Sequence, residues 1–146
     1  MARIEQNQKK LNTVDAICRA KFEAVLRDLE KNSFSPLIAE ALRTREQQAE
    51  KVRKGYSKTM NSYHVPRKGW GGARACDIIE EGKGWNSSRT FWLKLGSSAI
   101  SHGLNWGGFF GLNTAQKEAL IRDIKARKWN TSVKVGWDVA HIEWKG

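Results

Sequence analysis

Histidine is scarce in this 146-residue chain, with only three, and two of them stand in company that could do chemistry. His64 follows Ser62-Tyr63 and opens a basic, glycine-rich stretch that leads to Asp77. His141 lies three residues after Asp138, within an apolar C-terminal run. A His-Asp-His set suits a catalytic zinc, because two neutral imidazoles and one anion fill three positions and leave the fourth for water. The net positive charge of such a site favours loss of a proton from that water. A carboxylate outside the ligand set must then accept the proton, and Asp138 can face the same cavity. Spacing alone leaves a blander reading open: a surface His64, an Asp77 that caps a turn, and a His141 satisfied within a sheet. His102 sits just before Gly103 at the end of an apolar helical stretch, where a cation complements the helix dipole, so its role is read as structural.

The elements that must position these residues can be read from periodicity and capping. Cys18, Phe22, Val25, Leu26 and Leu29 recur at helical spacing within a helix expected over 13–31. Phe34-Ser35-Pro36-Leu37-Ile38 reads as a short strand, with Pro36 pointing to a sheet edge. Thr44-Arg45-Glu46-Gln47 has the form of a capping box, which predicts a helix over about 45–54 with Gly55 as its stop. Residues 55–74 read as a long loop, and 75–79 as a strand carrying Asp77. A helix follows over 87–102, with Phe91, Trp92, Leu95 and Ala99 on one face, and Leu104-Asn105-Trp106 reads as another short strand. Asn113 and Gln116 form a second capping box, for a helix over 114–128. Val139 to Trp144 closes the chain as an apolar strand. Helices mixed with short strands, without βαβ alternation, predict an α+β fold with a small, mainly antiparallel sheet and flanking helices.

Length and composition fit one domain, 1–146, with residues 1–12 expected as a loosely attached N-terminal segment. Neither an apolar run long enough to span a bilayer nor a secretory h-region stands out, so membrane insertion is not expected and synthesis in the cytoplasm is. Cys18 and Cys76 form no CxxC pair and read as buried apolar thiols. The formal charge of +11 draws the protein toward polyanions, either nucleic acid or a bacterial envelope.

Four stretches in order resemble one family, the zinc D-Ala-D-Ala carboxypeptidases and L-alanyl-D-glutamate endopeptidases. Ser62-Tyr63-His64 with Arg74-Ala75-Cys76-Asp77-Ile78 resembles its first ligand motif, and Asp138-Val139-Ala140-His141-Ile142-Glu143 its last. Leu42-Arg43-Thr44-Arg45-Glu46-Gln47 is similar to its Arg-Thr/Ser-x-x-Gln segment, and Gly103-Leu104-Asn105-Trp106-Gly107-Gly108 to its Gly-Leu-x-Trp-Gly-Gly strand. The resemblance spans about residues 13–146. It implies a hedgehog/DD-peptidase-like fold, zinc (Zn2+) on His64, Asp77 and His141, and Asp138 as general base. It further implies that Arg43 lies near the scissile carbonyl and that Ser62 positions the first ligand or a substrate group. Glu143 reads as an exposed strand residue. Two features depart from the family: the interval from His64 to Asp77 is longer, with the extra residues in 65–72, and Phe109 stands where an acid often follows Trp-Gly-Gly. The 109–137 connection is also long.

The resemblance implies a single-domain peptidase acting on bacterial peptidoglycan. The expected form is a monomeric phage endolysin, made in the host cytoplasm and reaching the wall after the membrane is permeabilised. An L-Ala–D-Glu endopeptidase is favoured over a D-Ala-D-Ala carboxypeptidase. A non-enzymatic nucleic-acid binder is the distant alternative, since the basic residues are spread along the chain and most of the seven tryptophans stand beside apolar neighbours.

Overall fold

Polar side chains set the starts of most of the helices. In the computed structural model, which describes residues 2–146, the chain begins with α1 (Arg3–Leu11) and α2 (Ala16–Lys31). Asp15 accepts from the backbone N–H of Ile17, so α2 begins at Ala16 rather than at 13. After β1 (Pro36–Glu40), Thr44 and Gln47 close a reciprocal capping box at the head of α3 (Arg45–Arg53). Then come β2 (Ala75–Glu80), α4 (Arg89–Ser101) and β3 (Asn105–Trp106). Asn113 and Gln116 form the second box, at α5 (Thr114–Lys125), and β4 (His141–Glu143) closes the order. α5 stops short of the expected 128 because Arg127 takes a left-handed backbone, φ 56°. β4 is shorter than the expected 139–144 because a turn, His141 N–H to the Asp138 carbonyl at 3.1 Å, occupies its first residues.

The sheet is antiparallel throughout, in the order β1-β2-β4-β3. Cys76, Ile78 and Ile142 turn to one face, where they meet Phe22, Val25 and Leu29 of α2 and Phe91, Leu95 and Ala99 of α4 in one core. Strand alternation therefore presents Asp77, His141 and Glu143 on the other face. The register sets Asp77 opposite His141 across β2 and β4, and opposite Glu40 across β1 and β2, where β1 bulges between Ile38 and Glu40. Both cysteines are buried, and burial pushes the Cys18 thiol up to about 11, which keeps it protonated and inert. This is the expected α+β fold. Among the described residues, no helix is long and apolar enough to cross a membrane.

The N-terminal segment differs from expectation. Residues 3–11 form α1 and are tied down rather than loose: the buried Asn7 side chain donates to the Pro36 carbonyl (3.0 Å) and accepts from the Ile38 N–H (2.8 Å). Arg3 adds a bond to the Pro36 carbonyl and a 2.9 Å ion pair with Glu30. The polar composition of α1 conceals this, since it docks through amide hydrogen bonds and one buried apolar residue, Leu11, rather than through an apolar stripe.

Candidate metal centre and catalytic cleft

His64 lies on a loop that the backbone holds at several points. Its carbonyl accepts from the Arg43 N–H (2.9 Å), the Tyr63 carbonyl accepts from the Arg74 N–H (2.9 Å), and Ser62 Oγ accepts from the His64 N–H (3.2 Å). The longer interval to Asp77 is taken up by a column of rings and guanidinium groups. Arg67 stacks on Tyr63 and Trp70, and Arg74 stacks on Trp70 and Trp144. Arg74 also pairs with Asp15 at 3.0 Å, which anchors the column to the head of α2. The insertion thus leaves His64 beside Asp77.

Three ligand atoms, one each from His64, Asp77 and His141, lie within 4.8 Å of one another, and all three residues are buried. His64 Nε2 is 3.3 Å and His141 Nδ1 is 3.2 Å from the same Asp77 oxygen, Oδ1. The outer nitrogens decide the tautomers. His64 Nδ1 is 2.7 Å from the Ala41 carbonyl, which can only accept, so that nitrogen carries a proton. His141 Nε2 is 2.7 Å from Glu143 Oε1, and donates to it. In its neutral form each imidazole would therefore aim its lone pair inward, at a carboxylate. Two lone pairs and an anion facing one point repel unless a cation sits among them, so this buried group can bind a metal ion, and both histidines have the outer hydrogen bonds typical of such ligands.

Protons answer the same demand for positive charge. Burial tends to raise the Asp77 pKa, but hydrogen bonds from His141 and His64 outweigh it and hold the carboxyl far below the usual range. Burial works against a charged His141, yet hydrogen bonds to Asp77 and Glu143 push its pKa up to about 10. A bound cation would replace those protons.

Around the ligands is a cleft of about 420 Å3 lined by Arg43, Ser62 and Asp138 among others. Asp138 Oδ2 stands 3.8 Å from His141 Nδ1, and burial, together with the charge of Asp77, raises its pKa against the pull of His141, His64 and Arg43. The Trp106-Gly107-Gly108 stretch positions it. Trp106 Nε1 donates to the Val139 carbonyl (2.7 Å) and the Asp138 N–H donates to the Gly107 carbonyl (3.3 Å). A Cβ on Gly107 would lie 2.8 Å from that of Asp138 and nearer still to its carbonyl oxygen, so only glycine lets the turn approach.

Arg43 is buried and largely committed. Nε and Nη2 grip Glu40 at 2.8 Å each, and Nη1 donates to Gln48 (2.5 Å) with Ser62 Oγ at 3.5 Å. Of its five N–H donors, one is left for the cleft. His102 lies elsewhere, bonded to Asp28 at 2.9 Å across α2 and α4. Glu143 is not the exposed strand residue expected: it is 7% exposed, lines the cleft and orients His141. Its position two residues after His141 in a strand, hence on the same face, is the signal that would have found it.

Fold and site together describe an α+β protein with a small antiparallel sheet whose open face carries a buried group that could bind a metal ion, with a further carboxylate, Asp138, beside it. The same fold occurs in the crystal structure of the Serratia marcescens L-Ala D-Glu endopeptidase ChiX, with a TM-score of 0.56 and 19% identity over 96% of this chain and 86% of that one. By sequence, the chain is similar to an L-alanyl-D-glutamate peptidase of Listeria phage A118, 39% identical over 83 residues. That match covers 54% of this chain and 27% of the length of the phage protein. No family model matches the chain.

Proposed function

We propose that this chain is a zinc-dependent peptidase that hydrolyses the L-Ala–D-Glu bond of peptidoglycan stem peptides, as a monomeric phage endolysin. The observation that carries the reading is the buried His64–Asp77–His141 group with Asp138 beside it, in a fold shared with an endopeptidase of that specificity. The similarity to a phage peptidase points to the same bond and to a phage lytic role. The +11 charge suits an anionic wall, which the protein reaches from the host cytoplasm once the membrane is opened.

Zinc held by His64 Nε2, Asp77 and His141 Nδ1 would supply Lewis acidity and ease deprotonation of water in the cleft. Asp138 accepts the proton of the attacking water and delivers it to the departing amine, so the C–N bond breaks to give a carboxylate and an amine. Its raised pKa suits a group that must hold that proton between the two steps. Arg43 offers its uncommitted N–H to the scissile carbonyl oxygen as negative charge develops there. Ser62 fixes the backbone of His64, and Glu143 fixes the ring of His141.

Mass analysis of digested cell walls, together with zinc content, tests the reading. New D-Glu amino termini, abolished by a chelator, are expected. Release of free D-Ala instead would make the enzyme a carboxypeptidase, and an inert protein without zinc would reject both.

A further inference from the structure

The cleft continues beyond the ligand group. Phe110, Trp137 and Lys145 line it and also line a second hollow of about 850 Å3 that runs beside β3. Lys145 extends the face of β4 that carries His141 and Glu143, because alternate residues of an extended chain share a face. Its side chain is 59% exposed, with Nζ 3.8 Å from Glu143 Oε2. Glu143 is already engaged by His141 through its other oxygen, at 2.7 Å. The ammonium therefore stands loosely held at the junction of the two hollows, beside the carboxylate that bonds His141.

The sheet order gives the cleft a direction. Arg43 follows β1 on one side of Asp77, and Asp138 precedes β4 on the other. With the carbonyl oxygen toward Arg43 and the nitrogen toward Asp138, a scissile amide lays its acyl half on the β1 side. Its amine half falls toward Phe110, Trp137 and Lys145. In an L-Ala–D-Glu bond the carbon attached to the scissile nitrogen bears a carboxylate, free when the chain continues through the γ-carboxyl. The cleft's other lysine, Lys51, belongs to the acyl side, 3.9 Å from Glu40.

We propose that Lys145 binds the α-carboxylate of the leaving D-Glu residue and so makes the enzyme selective for the free acid over its amide. The proposal rests on the function proposed above. Loss of one charge-assisted contact to the substrate predicts about a tenfold effect.

The test uses zinc-loaded protein and two synthetic peptides, N-acetyl-L-Ala-γ-D-Glu-L-Lys and the same peptide with the D-Glu α-carboxylate amidated. The wild type should prefer the acid. Lys145→Ala should raise KM for the acid about tenfold, hold kcat, and change the amide less than twofold, while Lys145→Arg restores the preference and Lys51→Ala keeps it. Lys145→Gln serves equally should the alanine variant prove unstable, and zinc content matched to wild type separates substrate binding from damage to the ligands. A wild type indifferent to amidation, a Lys145→Ala variant that shifts both peptides alike or neither, or a preference erased by Lys51→Ala instead would overturn the assignment of Lys145 alone. Wild-type protein that cleaves neither peptide would overturn the functional reading, and this assignment with it.

Discussion

Glu143→Ala probes the part of the site that lies behind the ligands. In the native arrangement the carboxylate accepts from His141 Nε2 at 2.7 Å, in surroundings that leave Glu143 7% and His141 6% exposed. Truncation leaves a buried N–H without an acceptor, at a cost of about 1–3 kcal/mol. Loss of an outer partner of a metal-binding imidazole weakens the metal by about 10–100-fold, or ~1.4–2.7 kcal/mol, so the two routes to the magnitude agree. Glu143→Gln keeps an acceptor for Nε2–H but not its charge, and a neutral hydrogen bond is about half as strong. Its loss of affinity should therefore stay below about tenfold. Competition against a chromophoric zinc chelator measures both variants, with His141→Ala as the reference for a lost ligand. Wild-type affinity in Glu143→Ala would refute the reasoning, as would a Glu143→Gln variant as impaired as the alanine one.

Three further outcomes are expected. Asp138→Ala should retain zinc while losing roughly 10²–10⁴-fold in kcat, measured on purified walls; unchanged turnover would remove Asp138 from the mechanism. Gly107→Ala should push the Asp138 turn outward and cost about 10²-fold in rate at full zinc occupancy, because the added Cβ would lie 2.8 Å from that of Asp138. Asp15 supplies an acid-sensitive contribution to stability. Burial tends to raise its pKa, but hydrogen bonds from Arg74, Ile17 and Gly71 prevail and lower it. A carboxyl whose folded pKa is depressed stabilises the fold above its unfolded pKa of about 3.9, and that contribution fades as pH falls through the folded value. Denaturant titrations from pH 6 down to pH 2 should show this slope in the wild type and a flatter one in Asp15→Asn. Asp15→Ala should also lose about 0.5–2 kcal/mol at neutral pH through the missing cap.

The helices were legible wherever a local signal existed. Thr44 with Gln47 and Asn113 with Gln116 form the boxes their spacing predicts, because such a cap is made within four residues. The alternation around Asp77 and His141 likewise places both on one face of the sheet. What escaped depends on contacts between distant segments. α1 carries too few apolar residues to advertise a docking face, and its attachment rests on Asn7 meeting β1. The approach to Asp77 is the long loop its sequence suggests, but its anchoring, with Arg74 between Trp70 and Trp144, shows only in the structure. Glu143 is hard to read for a different reason: a charged residue in a terminal strand is ordinarily solvated, and its burial here is offset by the hydrogen bond to His141 and the nearby Lys145 ammonium.

Asn7 has a consequence for the chain's life among its own copies. β1 is the outermost strand on its side of the sheet, and an outer strand presents unpaired N–H and C=O groups that can template pairing with another molecule. The Asn7 amide donates to the Pro36 carbonyl and accepts from the Ile38 N–H, as a neighbouring strand's backbone would. One side chain thus imitates a residue of a fifth strand, and α1 shields the border where no strand can be added. On the β1 side of the sheet, a docked helix thus takes up edge groups that a neighbouring strand would otherwise meet.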